Sequence, residues 1–215
     1  MEKVLNILKK LPYKYLGTIT FFILLLLILF ANSAVPIFSI GFLLDVLFII
    51  GFISLIHFSI GNNLAKNIIF TVVGAILTIL FIVDHIYYSN FKKFSSITSL
   101  NNAGMVMDNM DAYGVKLDGV SVLLLLTLAG LITFLFVFKN KNNSFRNRVF
   151  YIIPSLFIFF PFLVTYIMAY NDVTKLGIII YRTSYAFPEF VKNFGYLIYR
   201  YEDIAVVIDN AGGNL

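Results

Sequence analysis

The sequence predicts an all-α, polytopic membrane protein with five transmembrane helices, interfacial helices on the outer face, and an N-in, C-out orientation. Three observations predict it. Of 215 residues, 60% are hydrophobic and 13% charged, with a mean hydropathy of +0.91. Soluble domains carry about 25% charged residues, and no soluble core hides this much apolar surface, so lipid is the solvent for most of it. The apolar residues also fall into five runs near the ~20 residues that cross a bilayer as a helix. Finally, lysine and arginine are distributed unevenly between the connections.

Residues 1–14 are basic, with Lys3, Lys9, Lys10 and Lys14 against Glu2. The first span covers about residues 16–35. Lysines before an apolar core and the small residues Ala31-Asn32-Ser33-Ala34 fit a cleavable signal, but the length of the run favours a retained first helix, ended by Pro36. The second span, about 37–60, contains Asp45 and His57 and stops at Gly61-Asn62-Asn63, with Lys66 in the short connection. The third covers about 68–88 and closes on Asp84 and His85. A loop follows over 89–118. In it, Ser95-Ser96 is a candidate N-cap for a short helix, and Asp108, Asp111 and Asp118 mark it as lying outside the hydrocarbon. The fourth span, about 120–138, holds no charge, and the connection 139–148 is strongly basic. The fifth, about 149–170, contains Pro154 and Pro161, which a spanning helix tolerates, with a kink expected.

With the N-terminus inside, segments 1–14, 61–67 and 139–148 hold four, one and four basic residues. The outer loop holds three, Lys92, Lys93 and Lys116. The bias sets the orientation. These five spans make one membrane domain over residues 1–170. Residues 171–215 form an interfacial segment and linker. Two amphipathic pieces are expected there, around Leu176–Ser184 and Pro188–Ile208, with Pro188 in a first helical turn, before a Gly- and Asn-rich end.

Composition also excludes function classes. Without cysteine there is no disulfide, thiolate nucleophile or Cys-ligated metal. Two histidines are too few for a His-built metal centre without carboxylate help. Asp45 and His57 lie twelve residues apart, about 18 Å along a helix, so one metal site cannot use both. The net charge of +5 sits beside apolar runs, which points to an anionic membrane surface and not to nucleic acid.

Ionisable groups inside spans are functional candidates. Asp84 and His85 touch a lipid head group, make a hydrogen bond that shapes the outlet of the third span, or cap that helix in water. Asp45 either lines a cavity or pairs with a neighbouring helix, and His57 is read as a packing residue. Lys92, Lys93 and Arg182 are brought near one another if the tail folds back. They are candidates for binding a phosphate head group, with snorkelling anchors as the alternative.

The chain resembles the N-terminal membrane domain of the lipoteichoic acid synthase family, the phosphoglycerol transferases of Gram-positive bacteria. Two segments carry the likeness. The first runs from Tyr87 to Gly104 through Phe94, Ser95, Thr98, Leu100 and Asn101; the second is Arg182-Thr183, Val191-Lys192, Phe194-Gly195-Tyr196 and Tyr201. The resemblance implies a bacterial plasma membrane location, an extracellular sulfatase-like catalytic domain after the spans, phosphatidylglycerol as the lipid partner, and manganese in that catalytic domain. It implies no catalytic residue and no cofactor in this chain. Two other roles are open from sequence, a small stand-alone transporter and an accessory or regulatory membrane protein; the oligomeric state is not readable.

Overall fold

The computed structural model describes residues 13–34, 39–92, 94–96, 118–137, 149–170 and 187–212. Among them are seven helices and no strand. Five are long and apolar enough to cross a membrane: α1 (Tyr13–Ala34), α2 (Ile40–Ser59), α3 (Asn63–Phe91), α4 (Gly119–Val137) and α5 (Val149–Tyr170). Two shorter helices follow, α6 (Phe187–Phe194) and α7 (Tyr196–Gly212). The all-α, five-span architecture is therefore the one expected. The chain is a multi-pass membrane protein.

The helix limits differ from the hydropathy limits because caps set them. Ser39 caps α2, its Oγ accepting from the Phe42 amide at 3.1 Å. Asn62 caps α3, its Oδ1 accepting from the Leu64 amide at 2.9 Å. Asp118 opens α4, accepting from the Ser121 amide and hydroxyl, both at 2.9 Å. A side-chain acceptor at these positions satisfies amides that have no partner within the helix. Because α3 begins at Asn63, Lys66 is not in a connection. It lies in the first turns of α3, on its buried face.

The central helix is α1. It packs against α2, α3 and α4, while α5 lies at the edge, packed chiefly on α2. The buried stripe of α1 runs through Tyr15, Ile19, Ile23, Leu26 and Phe30, at the spacing of one helical face. On α2, Gly51 lets α5 approach closely; a Cβ there would lie 2.8 Å from the Pro154 carbonyl oxygen. Pro154 and Pro161 both lie inside α5, which continues through them. The outward faces of α4 and α5, including Leu123, Leu126, Leu156 and Phe159, are exposed apolar surface of the kind lipid covers.

One end of the bundle, the tail end, is where α1, α3 and α5 finish and α2 and α4 begin. The helices α6 and α7 pack here, both against α2. The other end, the amino-terminal end, carries Tyr15, His57 and Lys66.

Candidate functional site

At the tail end α3 stops at Phe91, and Lys92 takes the left-handed conformation (φ 54°), its amide bonded to the Tyr88 carbonyl at 2.9 Å. This reversal carries the chain back over the helix end. Phe94 stacks on Tyr88, with centroids 5.3 Å apart, and Ser95 is buried. The short helix that Ser95-Ser96 are expected to cap lies outside the described residues. The Ser95 amide and hydroxyl both donate to Asp84 Oδ1, at 2.8 and 2.6 Å.

The other oxygen of Asp84 belongs to the tail. Oδ2 accepts from the Tyr196 hydroxyl at 2.5 Å and from Arg200 Nη2. The guanidinium is saturated in turn. Nε donates to the Tyr196 hydroxyl at 3.0 Å, Nη1 to the Ser95 carbonyl at 2.8 Å and to Asp203 Oδ2 at 3.2 Å, and Nη2 also to Ser95 Oγ at 3.0 Å. Asp203 Oδ1 accepts from the Ser96 hydroxyl at 2.6 Å. The Arg200 guanidinium also lies over the rings of Tyr196 and Tyr199, at 5.4 and 5.3 Å.

Asp84 is 0% exposed and Arg200 is buried. Burial alone would pull the guanidinium pKa down, but Tyr196 and Asp84 outweigh it and hold Arg200 above its ordinary value, so it keeps its charge. Burial, reinforced by the Asp84 charge, pushes the Tyr196 phenol well above its usual range, so it stays a donor. The aromatic floor beneath is tight. Phe30 stacks on Phe81 at 4.7 Å and meets Tyr196 edge-on at 4.8 Å.

Asp45 holds the same helix by a different atom set. Its carboxylate accepts from the amides of Tyr196 (2.7 Å) and Leu197 (2.9 Å), the first two residues of α7. It thus caps α7 from another helix, and a carboxylate suits the positive end of a helix dipole. Gly195 makes the approach possible. It turns the chain between α6 and α7 with φ +97°, where a side chain is strained, and a Cβ there would lie 2.7 Å from Asp45 Oδ1. Gly41 is the matching face of α2. A Cβ on it would fall 2.0 Å from the Val191 carbonyl oxygen.

His85, next to Asp84, turns elsewhere, its Nε2 lying 2.6 Å from Asp118 Oδ2 at the start of α4. Burial would raise the Asp118 carboxyl, but the bonds from Ser121 and His85 prevail and hold it at about 2. At the amino-terminal end, His57 packs against Tyr15, with centroids 5.7 Å apart. The Tyr15 hydroxyl donates to Asn67, and Asn67 donates to the Leu135 carbonyl, linking α1, α3 and α4.

The structure therefore separates the sequence candidates into three groups. Asp45 and Asp84 converge on α7. His85 joins α3 to α4, and His57 lies at the opposite end. Of the sequence readings of Asp84, a lipid contact, a hydrogen bond that shapes the outlet and a wet cap, its geometry is that of the second: it is dry, with both oxygens bound to protein donors. Lys92 is exposed, its ammonium 5.5 Å from the centre of the Tyr88 ring. Lys93, Arg182 and the expected amphipathic piece around Leu176–Ser184 lie outside the described residues. The second expected piece is there, as two helices and not one, because Gly195 divides it. Sequence reasoning assigned no site role to Arg200, and met Ser95 only as an N-cap candidate and, with Tyr196, as part of the resemblance. The available signal was Arg200 itself, an arginine in an aromatic stretch with tyrosine four residues before and aspartate three after, on one helical face.

Among the described residues, no three His, Asp or Glu side chains are grouped to hold a metal ion. Each named polar atom of the Asp84–Arg200 cluster has a protein partner, and together these bonds join α7 to the end of α3. Fold and site together define a five-span membrane protein whose two C-terminal helices are clamped to one end of its bundle by two buried carboxylates. No protein-family model, curated protein or solved structure matches the chain.

Proposed function

We propose that the chain is the membrane domain of a phosphoglycerol transferase resembling the lipoteichoic acid synthases. It anchors an extracellular catalytic domain over the outer leaflet of a bacterial plasma membrane and presents phosphatidylglycerol to it. The observation that supports this most is the docking of α7 by Asp84 and Asp45. A tether needs no such joint. A platform that sets the height and direction of a following domain does, because only a fixed helix passes the position of the bundle onward. The charge bias of eight basic residues in segments 1–14 and 139–148 against three in 89–118, read as N-in, supports a platform on the outer side. Exposed Lys92, with Lys93 and Arg182, then supplies the phosphate donors at the outer surface.

A transporter would need a polar path along the bundle. Between Lys66 and Asp84 the buried face of α3 carries Phe70, Gly74, Thr78 and Phe81. Thr78 gives its hydroxyl to its own helix, at the Gly74 carbonyl, and Phe81 is stacked on Phe30. This favours the anchoring role.

The test is the native gene product in its own membrane. A mass well above 24.4 kDa, with glycerophosphate transfer from phosphatidylglycerol that falls when Lys92, Lys93 and Arg182 are replaced together, bears the proposal out. A mass near 24.4 kDa with no transfer, and no lipid-exchange preference for phosphatidylglycerol, sinks it in favour of an accessory role.

A further inference from the structure

The buried face of α3 has a charge at each end, Lys66 at one and Asp84 at the other. They are eighteen residues apart, about 27 Å along a helix, close to the ~30 Å of a hydrocarbon core. Each therefore lies near the head-group level of a different leaflet. Their surroundings differ. Asp84 receives Arg200 from α7. Lys66 is 3% exposed and has no such counterpart among the described residues, where Asp45, Asp84, Asp118 and Asp203 all take their partners at the tail end.

What meets Lys66 is polar but not anionic. His57, at the end of α2, lies within electrostatic reach. It is 4% exposed, and its Nδ1 is buried without a hydrogen-bond partner. Tyr15 covers the imidazole and bonds Asn67, the residue after Lys66, so α1, α2 and α3 converge here. The N-terminus of α3 is not part of this feature, since Asn62 already takes the Leu64 and Ala65 amides.

The flanking segments at this end add Lys3, Lys9, Lys10, Lys139, Lys141, Arg146 and Arg148 against one acid, Glu2. Basic residues that flank a span in sequence need no ligand, because they set membrane orientation. A lysine on the inward face of a helix does nothing for orientation that an exposed one would not do better. Burial strips part of the water from the Lys66 ammonium, with no acid paired to it among the described residues, and that is costly. An imidazole nitrogen left without a partner beside it adds to that cost.

We infer that Lys66 and His57 form an anion site at the amino-terminal end of the bundle, which takes the phosphate group of an anionic phospholipid in the adjoining leaflet. Lys66 supplies the charge and the free imidazole nitrogen supplies orientation. The site lies a full membrane thickness from the Arg200 joint and does not depend on the transferase proposal.

Native mass spectrometry of the purified chain tests it, with phosphatidylglycerol and phosphatidylcholine of equal acyl length as competing probes. Thermal unfolding with and without inorganic phosphate forms the second arm. The expected result is retention of phosphatidylglycerol over phosphatidylcholine, reduced at least about tenfold in Lys66→Gln, as loss of a charge-assisted hydrogen bond predicts. Retention should survive in Lys66→Arg and in Lys14→Gln, which removes an exposed charge at the same end. A Lys66-dependent shift with inorganic phosphate and no lipid preference would assign the same site to a soluble phosphate. If Lys66→Gln does not fold, His57→Phe keeps the lysine and reads the same comparison. Equal lipid retention and equal phosphate response in the wild type and these variants would overturn the site.

Discussion

Replacing Arg200 by methionine removes the charge at the tail joint and keeps most of the volume. Asp84 then stays buried with the Ser95 amide, the Ser95 hydroxyl and the Tyr196 hydroxyl, but without its cation. Breaking a buried ion pair by removing one partner costs roughly 3–5 kcal/mol. Three surviving donors put this case at the lower end, about 3 kcal/mol, which is about a hundredfold in the docking equilibrium of α7. The chain has no cysteine, so a single introduced thiol reports docking cleanly. Ile198 is 2% exposed, and Ile198→Cys should react slowly with a water-soluble maleimide in nanodiscs. Adding Arg200→Met should raise that rate about a hundredfold, in proportion to the undocked fraction. Tyr201→Cys, at an exposed position of the same helix, should label equally fast in both backgrounds. The double variant Asp84→Met, Arg200→Met leaves neither charge and should recover a large part of the loss, as coupled sites do. A change of less than about threefold in Ile198→Cys labelling on Arg200→Met would refute the reasoning, because the pair would then contribute nothing to holding α7.

Three further outcomes are expected. Gly41→Ala puts a Cβ 2.0 Å from the Val191 carbonyl oxygen and 2.5 Å from the Gly195 nitrogen, both backbone atoms that cannot rotate away. The α6–α7 pair must shift, and the same labelling should rise at least tenfold. Asp45→Ala leaves the Tyr196 and Leu197 amides without their acceptor, at about 1–3 kcal/mol for each buried group, and should lower the Tm; Asp45→Asn, which keeps an acceptor oxygen, should restore part of it. Asp118, held at about 2 against an ordinary 3.8, is depressed on folding. Its stabilisation is therefore complete above pH 3.8 and disappears as pH falls through about 2. Thermal unfolding between pH 4 and pH 2 should show a steeper loss in the wild type than in Asp118→Asn.

The five spans were legible because lipid imposes one demand, about twenty apolar residues with every backbone group satisfied within the helix. Their ends were less legible, because a cap moves them without changing hydropathy. Asn62 starts α3 five residues ahead of the expected residue 68, and Ser39 starts α2 at Ile40, past the expected 37. The same early start turned Lys66 from a connection residue into one on the buried face. The tail was legible as amphipathic, but its division at Gly195 was not, since nothing in the spacing says that α2 needs a glycine opposite Gly41.

The joint itself was half legible, and charge explains which half. Asp45 and Asp84 stood out as acids inside apolar runs. Within the spans the lysines are Lys14 and Lys66, both at the amino-terminal end, and helix rise puts Lys66 about 27 Å from Asp84, at the other membrane surface. Neither acid can be neutralised inside the spans, so each needs a partner from outside them. The tail supplies both, but in forms that sequence distance conceals. Arg200 reaches Asp84 across 116 positions, and Asp45 takes two backbone amides that carry no residue signature at all. The argument applies equally in reverse. A cation on the inward face of a span, with no described acid paired to it, calls for an anion from elsewhere. The tail that resolves Asp84 is a membrane thickness too far away to resolve Lys66.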